Sequence, residues 1–259
     1  MDKKDVINDL SATVAGTAIE TGIAAVVPGI GGVLGGAAIG SVVGKVFEYA
    51  GKEILNRFLS KREEHRITDV MDLAKEKIDE NIKNNKKLRE DDFFENVDNR
   101  SSAEEILEGT LMVAQKEYEE RKLPYMANLY ANIAFDDTIT REIADRLIKI
   151  SSDLTYRQLM ILSAIGFAQI SGLHGKTETD RSVSGLNNVS IASEIFDLYR
   201  KSLVFSSEVI LDTAGINPSK LTLGGYGALL YNLMELPKFP LPDKCVIDIY
   251  LFLGILQSK

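Results

Sequence analysis

The first part of the chain is an apolar stretch that predicts a helical hairpin. Between residues 12 and 44 nearly every position is apolar or small, and Glu20 is the single charged residue. Pro28 begins the sequence Pro-Gly-Ile-Gly in the middle of this stretch, which is typical of a turn. The pattern therefore predicts one helix at about 10–27 and a second at about 32–58.

Glycine is concentrated in this hairpin, which holds nine of the 20 glycines of the chain. Each glycine weakens a helix by about 1 kcal/mol relative to alanine, so a compensating interaction is required. Four of them recur at every fourth position and form one smooth stripe on a helix: Gly32, Gly36, Gly40 and Gly44. Such stripes allow two backbones to approach closely, as in membrane helix pairs. We predict that this glycine stripe is the packing and membrane-contacting site, together with Pro28 at the turn and Glu20.

Two interpretations of the hairpin stay open. Each arm has about 13 to 16 apolar residues, whereas a straight transmembrane helix needs about 20. Basic residues flank the hairpin on both sides, which would keep both of its ends in the cytoplasm. The hairpin then contacts a membrane, permanently or after a trigger, and Glu20 faces a partner, a pore lumen or the headgroups. Alternatively, the hairpin is the buried core of a soluble oligomer.

The next stretch, residues 60–92, is highly charged. Its apolar positions are spaced as on one face of a helix: Ile67, Val70, Met71, Ala74, Ile78 and Ile82. The pattern predicts an amphipathic helix with a solvated face.

Short amphipathic helices follow this charged stretch. Ser101, Ser102 and Thr155 are each followed three positions later by Glu or Gln, and such capping boxes mark helix N-termini. Pro124 opens another helix, and a further one is predicted at about 139–151. The apolar positions after Ser101 extend to Tyr118, which predicts that this tyrosine faces inward.

Part of this helical region resembles a known family. The residues concerned are Tyr125 to Ala134, an acidic break, Ala144 to Ile150, and Leu154 to Leu162. They look like the abortive-infection alpha family, whose members share a leucine-alanine-asparagine, acidic break, leucine-serine-x-x-aspartate helical core. The chain departs from that pattern at Tyr156-Arg157-Gln158, where an acidic residue is usual.

The resemblance covers about residues 100–165 and implies a role in bacterial phage defence or a stress response. It implies no catalytic residues, because the family carries none that could be transferred to this chain.

The last third of the chain is similar to a winged-helix module. A helix near 191–200 is followed by β-rich runs at 203–205 and 209–211, by Leu-Thr-x-x-Gly, and by a helix ending near Leu236. In such a module Thr222 would cap the last helix and the strands would form the wing. The tail at 246–256 predicts a packed terminal helix or strand.

The helix that would read DNA in this module is acidic or neutral, with Glu194 and Asp197 beside a single Arg200. We therefore expect the module to contact a protein partner rather than nucleic acid.

Composition excludes several classes of function. The hydrophobic fraction of 45% allows real cores, and the net charge of −8 argues against general phosphate binding. The single cysteine, Cys245, excludes an intrachain disulfide and a cysteine-based zinc site. Gly44-Lys45 resembles the end of a P-loop, but Val46 follows where Ser or Thr is required. With two histidines and no catalytic constellation, we predict no enzyme activity, no cofactor and no metal.

These observations predict a mainly α fold with three domains: the hairpin at 1–58, a helical domain at 59–152 and a winged-helix-like domain at 153–259. No secretory signal stands out, which predicts a cytoplasmic protein. Membrane contact by the hairpin would place it at the inner membrane. The predicted function is that of a non-enzymatic anti-phage effector that contacts membranes conditionally and assembles as a homo-oligomer. The alternatives are a soluble oligomeric scaffold and a winged-helix DNA-binding regulator.

Overall fold

A computed structural model describes residues 41–97, 100–172, 185–236 and 244–255. In these ranges the chain is mainly helical, with nine α-helices and two small antiparallel pairs of strands. The N-terminal elements are α1 (Ser41–Leu55), α2 (Lys61–Lys83), β1 (Asn96–Val97), β2 (Arg100–Ser101), α3 (Ser102–Lys116), α4 (Leu123–Ile133) and α5 (Arg141–Asp153). The C-terminal elements are α6 (Tyr156–Ser171), α7 (Leu186–Arg200), β3 (Val204–Ser206), β4 (Leu221–Leu223), α8 (Tyr226–Leu233) and α9 (Lys244–Leu253).

The helices begin where local capping residues dictate. The capping boxes at Ser101 and Thr155 are confirmed: each side chain accepts a hydrogen bond from the backbone N–H of the third helical residue, whose side chain accepts one from the backbone N–H of the capping residue. The predicted box at Ser102 is wrong, because Ser102 is the first residue of α3 and Ser101 is its N-cap. Ser60 forms a third box with Glu63 at the start of α2. Pro124 lies in the first turn of α4, where its missing N–H has no cost.

Helix α2 packs along α4 and α3 through the apolar stripe seen in the sequence. Ile67, Val70 and Ile78 are fully buried, which confirms the predicted face. Tyr118 is a correction: α3 ends at Lys116, and Tyr118 lies outside the helix with 81% of its surface exposed.

The small sheet in the C-terminal half differs from the predicted wing. Strand β3 pairs with β4 in the register Val204 to Leu223, whereas the predicted second run at 209–211 forms no strand. Within that run Ile210 is buried, and Val209 and Leu211 are 78% and 84% exposed. Residues 209–211 are therefore a loop segment that is anchored to the core by the side chain of Ile210.

Thr222 also differs from its predicted role. It lies in β4 opposite Phe205 and does not cap α8. The residue before α8 is Gly225, whose φ of 48° lies in a region that other residues rarely adopt. Two residues later, the backbone of Gly227 lies against that of Leu203: a Cβ on Gly227 would be 1.9 Å from the carbonyl oxygen of Leu203.

The tail forms α9, a helix that packs on α6 and α7 and buries Val246, Ile249 and Leu253. Buried apolar side chains from α1 through α9 belong to one cluster. The division into three domains stays a prediction. Among the described helices, none combines the length and apolar character that crossing a bilayer requires.

Candidate functional site

The predicted site lies mostly outside the described residues. Glu20, Pro28, Gly32, Gly36 and Gly40 all precede Ser41, where the description begins. Gly44 is the member of the set that the structure describes.

Gly44 lies in the first turns of α1 and is partly exposed. A Cβ built on it would meet no heavy atom within 4 Å. The described body therefore does not require glycine at this position. The end of the stripe remains free to contact something other than these residues.

Helix α1 fixes the end of the stripe to the body. Its buried side chains are Val43, Val46, Phe47, Ala50 and Ile54, and they face α3 and α2. The ring of Phe47 meets that of fully buried Tyr130 edge to face, with 5.7 Å between centroids. Burying one large apolar side chain stabilises the fold by about 1.5–3 kcal/mol, so α1 is an integral part of the helical body.

A buried polar cluster joins α2 and α4 to the end of α8. Asn132 accepts a hydrogen bond from the Asn81 amide at 3.0 Å and donates one to the carbonyl oxygen of Leu233 at 2.8 Å. Asn128, one turn earlier on α4, donates to the carbonyl oxygen of Met234 at 3.2 Å. These asparagines supply partners to the carbonyls that a helix C-terminus leaves unpaired.

Three charged side chains extend this cluster. The Lys77 ammonium lies 2.7 Å from Glu235 and 2.7 Å from Glu80. Burial opposes the charge on Lys77, but the hydrogen bonds to Glu235 and Glu80 outweigh it and raise the pKa of Lys77. Sequence reasoning missed this cluster, although two asparagines spaced four apart on an otherwise apolar helix are a usable signal.

A second buried ion pair lies where α3 leads into α4. Lys122 and Glu117 are in contact and nearly inaccessible to solvent. Arg66 donates to the carbonyl oxygen of Glu117, and Lys122 approaches that of Ser152. Buried lysine–carboxylate pairs occur in active sites. Here, however, every contact is internal, so the pair connects α2, α3 and α5.

The described residues contain no group of histidine, cysteine, aspartate and glutamate that could hold a metal ion. His65 is exposed on α2 with its Nε2 atom 3.4 Å from Asp69. Cys245 lies in the first turn of α9. His65 forms no arrangement for acid–base or nucleophilic chemistry with the described residues around it.

A cavity of about 200 Å³ lies between α6, β4 and the end of α9. Its walls are mainly apolar and include no charged side chain. Gln169, its largest polar residue, accepts a hydrogen bond from the N–H of Leu223 at 3.0 Å. The cavity is smaller than the roughly 300–1,000 Å³ of ordinary small-molecule sites, and its chief polar group is already engaged.

The acidic side chains of α7 are turned toward other protein groups. Glu194 is paired with Arg157 on α6, and Asp197 contacts Gln158 and Lys201. Burial alone would raise the pKa of Asp197, but the hydrogen bonds from Lys201 and Gln158 lower it. This helix offers no row of basic side chains for a DNA groove.

Comparison of the chain with protein-family models, with curated proteins and with solved structures found no match.

Proposed function

We propose that this chain is a non-enzymatic effector of abortive phage infection that acts on the bacterial membrane through its glycine-rich hairpin. One observation carries the proposal. The apolar glycine-rich stretch runs directly into α1, whose apolar face is buried in the helical body while Gly44 remains without a neighbour. A segment with this composition, attached to a packed body, is suited to insert into a bilayer while the body stays in water.

In the proposed mechanism several copies associate through the glycine stripe, because glycines spaced by four allow helix backbones to approach closely. Association of inserted hairpins would open a path for ions and dissipate the membrane potential. The resemblance of residues 100–165 to the abortive-infection alpha family supports a defence role for such damage.

The C-terminal module would contact a protein partner. The order helix, helix, strand, strand, helix from α6 to α8 supports the proposal of a winged-helix-like module. The neutral to acidic α7 favours a protein partner over DNA.

The test is expression of the full chain in bacteria with a voltage-sensitive dye. The wild type is expected to depolarise the membrane. Gly40→Leu and Gly44→Leu are expected to abolish this, because a leucine side chain holds the backbones apart. Gly44→Leu is the more informative variant. A Cβ at position 44 would meet no atom of the described body, so we expect that body to stay folded.

Gly16→Leu is the matched control, because it adds the same side chain to the hairpin away from the four-residue stripe. Depolarisation lost equally in the control would point to general damage to the hairpin. An unchanged potential with the wild type, together with one discrete oligomer in detergent-free buffer, would favour the soluble scaffold. A gel shift at low salt would favour the DNA-binding regulator.

A further inference from the structure

The corner between α1 and α2 has an unusual combination of side chains. Phe58 is fully exposed in the connection, and Tyr49 on α1 is 60% exposed. Val42, on the same side of α1 as Tyr49, is also exposed. Three large apolar side chains exposed to solvent within one stretch of 17 residues indicate a contact with something else.

Basic side chains surround these apolar ones. Two exposed lysines lie on α1: Lys45 between Val42 and Tyr49, and Lys52 after Tyr49. Lys61 is the first residue of α2. Within the described part of the chain these three lysines form no ion pair. They are therefore available to an external anion.

The charge of this corner is opposite to that of the chain. Residues 41–62 contain five basic and two acidic residues, whereas residues 63–259 contain 23 basic and 32 acidic ones. Two of the five, Arg57 and Arg62, are paired with Glu108 and Glu120, so the local excess of positive charge rests on the three lysines. A local reversal of sign beside exposed aromatic rings matches the interfacial region of an anionic bilayer. Tyrosine and other aromatic rings lie at headgroup level there, and lysines bind the lipid phosphates.

The position of this corner in the chain identifies the bilayer as its partner. Residues 41–44 are the end of the glycine-rich stretch, so a hairpin inserted in a membrane delivers the rest of α1 to the membrane surface. We propose that the α1–α2 corner, residues 41–62, lies on the anionic lipid surface, with Phe58 and Tyr49 at the interface and the three lysines on phosphates. This inference rests on the proposed function, and it assigns the orientation of the body on the membrane.

The chain has no tryptophan, so Phe58→Trp introduces a single fluorescent reporter at an exposed site. The full chain carrying Phe58→Trp is mixed with vesicles of phosphatidylcholine and phosphatidylserine in a three-to-one ratio, and flotation and emission are both measured. The expected result is co-flotation, a blue shift of the reporter's emission and quenching by lipids brominated near the headgroup. Val209→Trp is the matched control, because Val209 is an exposed apolar residue in the loop between β3 and β4. The emission of this control is expected not to change.

A second variant separates the two proposals. Replacing Lys45, Lys52 and Lys61 by glutamine in the Phe58→Trp chain is expected to leave flotation intact. The equilibrium constant for placing the reporter at the interface is expected to fall about fivefold per lysine removed, because each lysine near an anionic surface contributes to binding.

The outcomes distinguish the corner from the hairpin. If the chain floats and the reporter remains solvent-exposed, this inference fails and the hairpin proposal stands. If the chain does not float, both fail. A blue shift of the reporter without lipid would mean that a second copy of the chain covers the corner. Equal shifts in the Phe58→Trp and Val209→Trp chains would mean unspecific adsorption to the vesicles. Either result overturns the inference.

Discussion

Substitution of Asn132 allows a quantitative test of how α2 and α4 are joined to the end of α8. Its side chain is buried and bridges Asn81 on α2 to the last turn of α8 through hydrogen bonds of 3.0 and 2.8 Å. Asn132→Leu keeps the approximate volume and removes both bonds. The Asn81 amide and the Leu233 carbonyl are then left buried without this partner.

The expected cost follows from those two groups. A buried polar group that loses its partner costs about 1–3 kcal/mol, so Asn132→Leu, which strands two such groups, is expected to lower the free energy of unfolding by about 2–6 kcal/mol. That is a large part of the roughly 5–15 kcal/mol by which proteins are stable. Asn128→Ala breaks a single, longer bond in a partly exposed position and is expected to cost only about 1 kcal/mol.

The assay is equilibrium urea unfolding of the full chain followed by far-ultraviolet circular dichroism. The double variant Asn81→Leu/Asn132→Leu is expected to be more stable than the sum of the single variants predicts, by about 1–2 kcal/mol, because it leaves no unpaired amide on α2. A smaller loss for Asn132→Leu than for Asn128→Ala would refute the reasoning, as would strict additivity with Asn81→Leu.

Three further predictions concern stability. Tyr130 is buried, and its hydroxyl has no hydrogen-bond partner among the described residues; Tyr130→Phe is therefore expected to gain about 1 kcal/mol, and a loss of that size in urea unfolding would contradict this. Gly227→Ala would force a methyl group against the Leu203 carbonyl oxygen, which cannot move without the backbone; we expect a loss of about 3 kcal/mol or more, and a near-wild-type melting temperature would be incompatible with this packing. Hydrogen bonds from Ser60 lower the pKa of Glu63 from 4.5 to about 2, so the stability from this pair is complete above pH 4.5 and is lost as the pH falls toward 2. Ser60→Ala is expected to be less stable than the wild type at neutral pH, and the difference should shrink over that pH range; a constant difference would count against the capping box.

Features determined by near neighbours could be predicted from the sequence. The starts of α3 and α6 follow from Ser101 and Thr155, because a capping box needs only four consecutive residues. The buried face of α2 follows from the spacing of its apolar residues. The same local signals were present at Ser60, where sequence reasoning did not use them.

Features determined by distant residues could not be predicted. The partner of β3 is β4, on the far side of the loop between them, and the nearer run at 209–211 has the stronger strand composition. Thr222 is in a strand because of that pairing. Asn132 acquires its role only when α2 and α8 meet on α4, which no short stretch of sequence specifies.

The candidate site also combines features set by near neighbours with features set by distant residues. Its glycine spacing is visible in the sequence, but the attachment of α1 to the body depends on side chains of α2, α3 and α4. This attachment also sets the correct truncation for experiments. Removal of residues 1–40 spares α1, whereas removal through residue 58 would take Phe47 and Ile54 from the core.

The most direct test of membrane action compares the full chain with a chain that begins at Ser41, in flotation on pure phosphatidylcholine vesicles. These vesicles carry no net charge, so the lysines of the α1–α2 corner add little and the hairpin alone decides the outcome. The account predicts that the full chain floats with the vesicles, while the shorter chain stays in the lipid-free fraction with its helical circular dichroism retained. A full chain that stays in the lipid-free fraction as a discrete oligomer would contradict it.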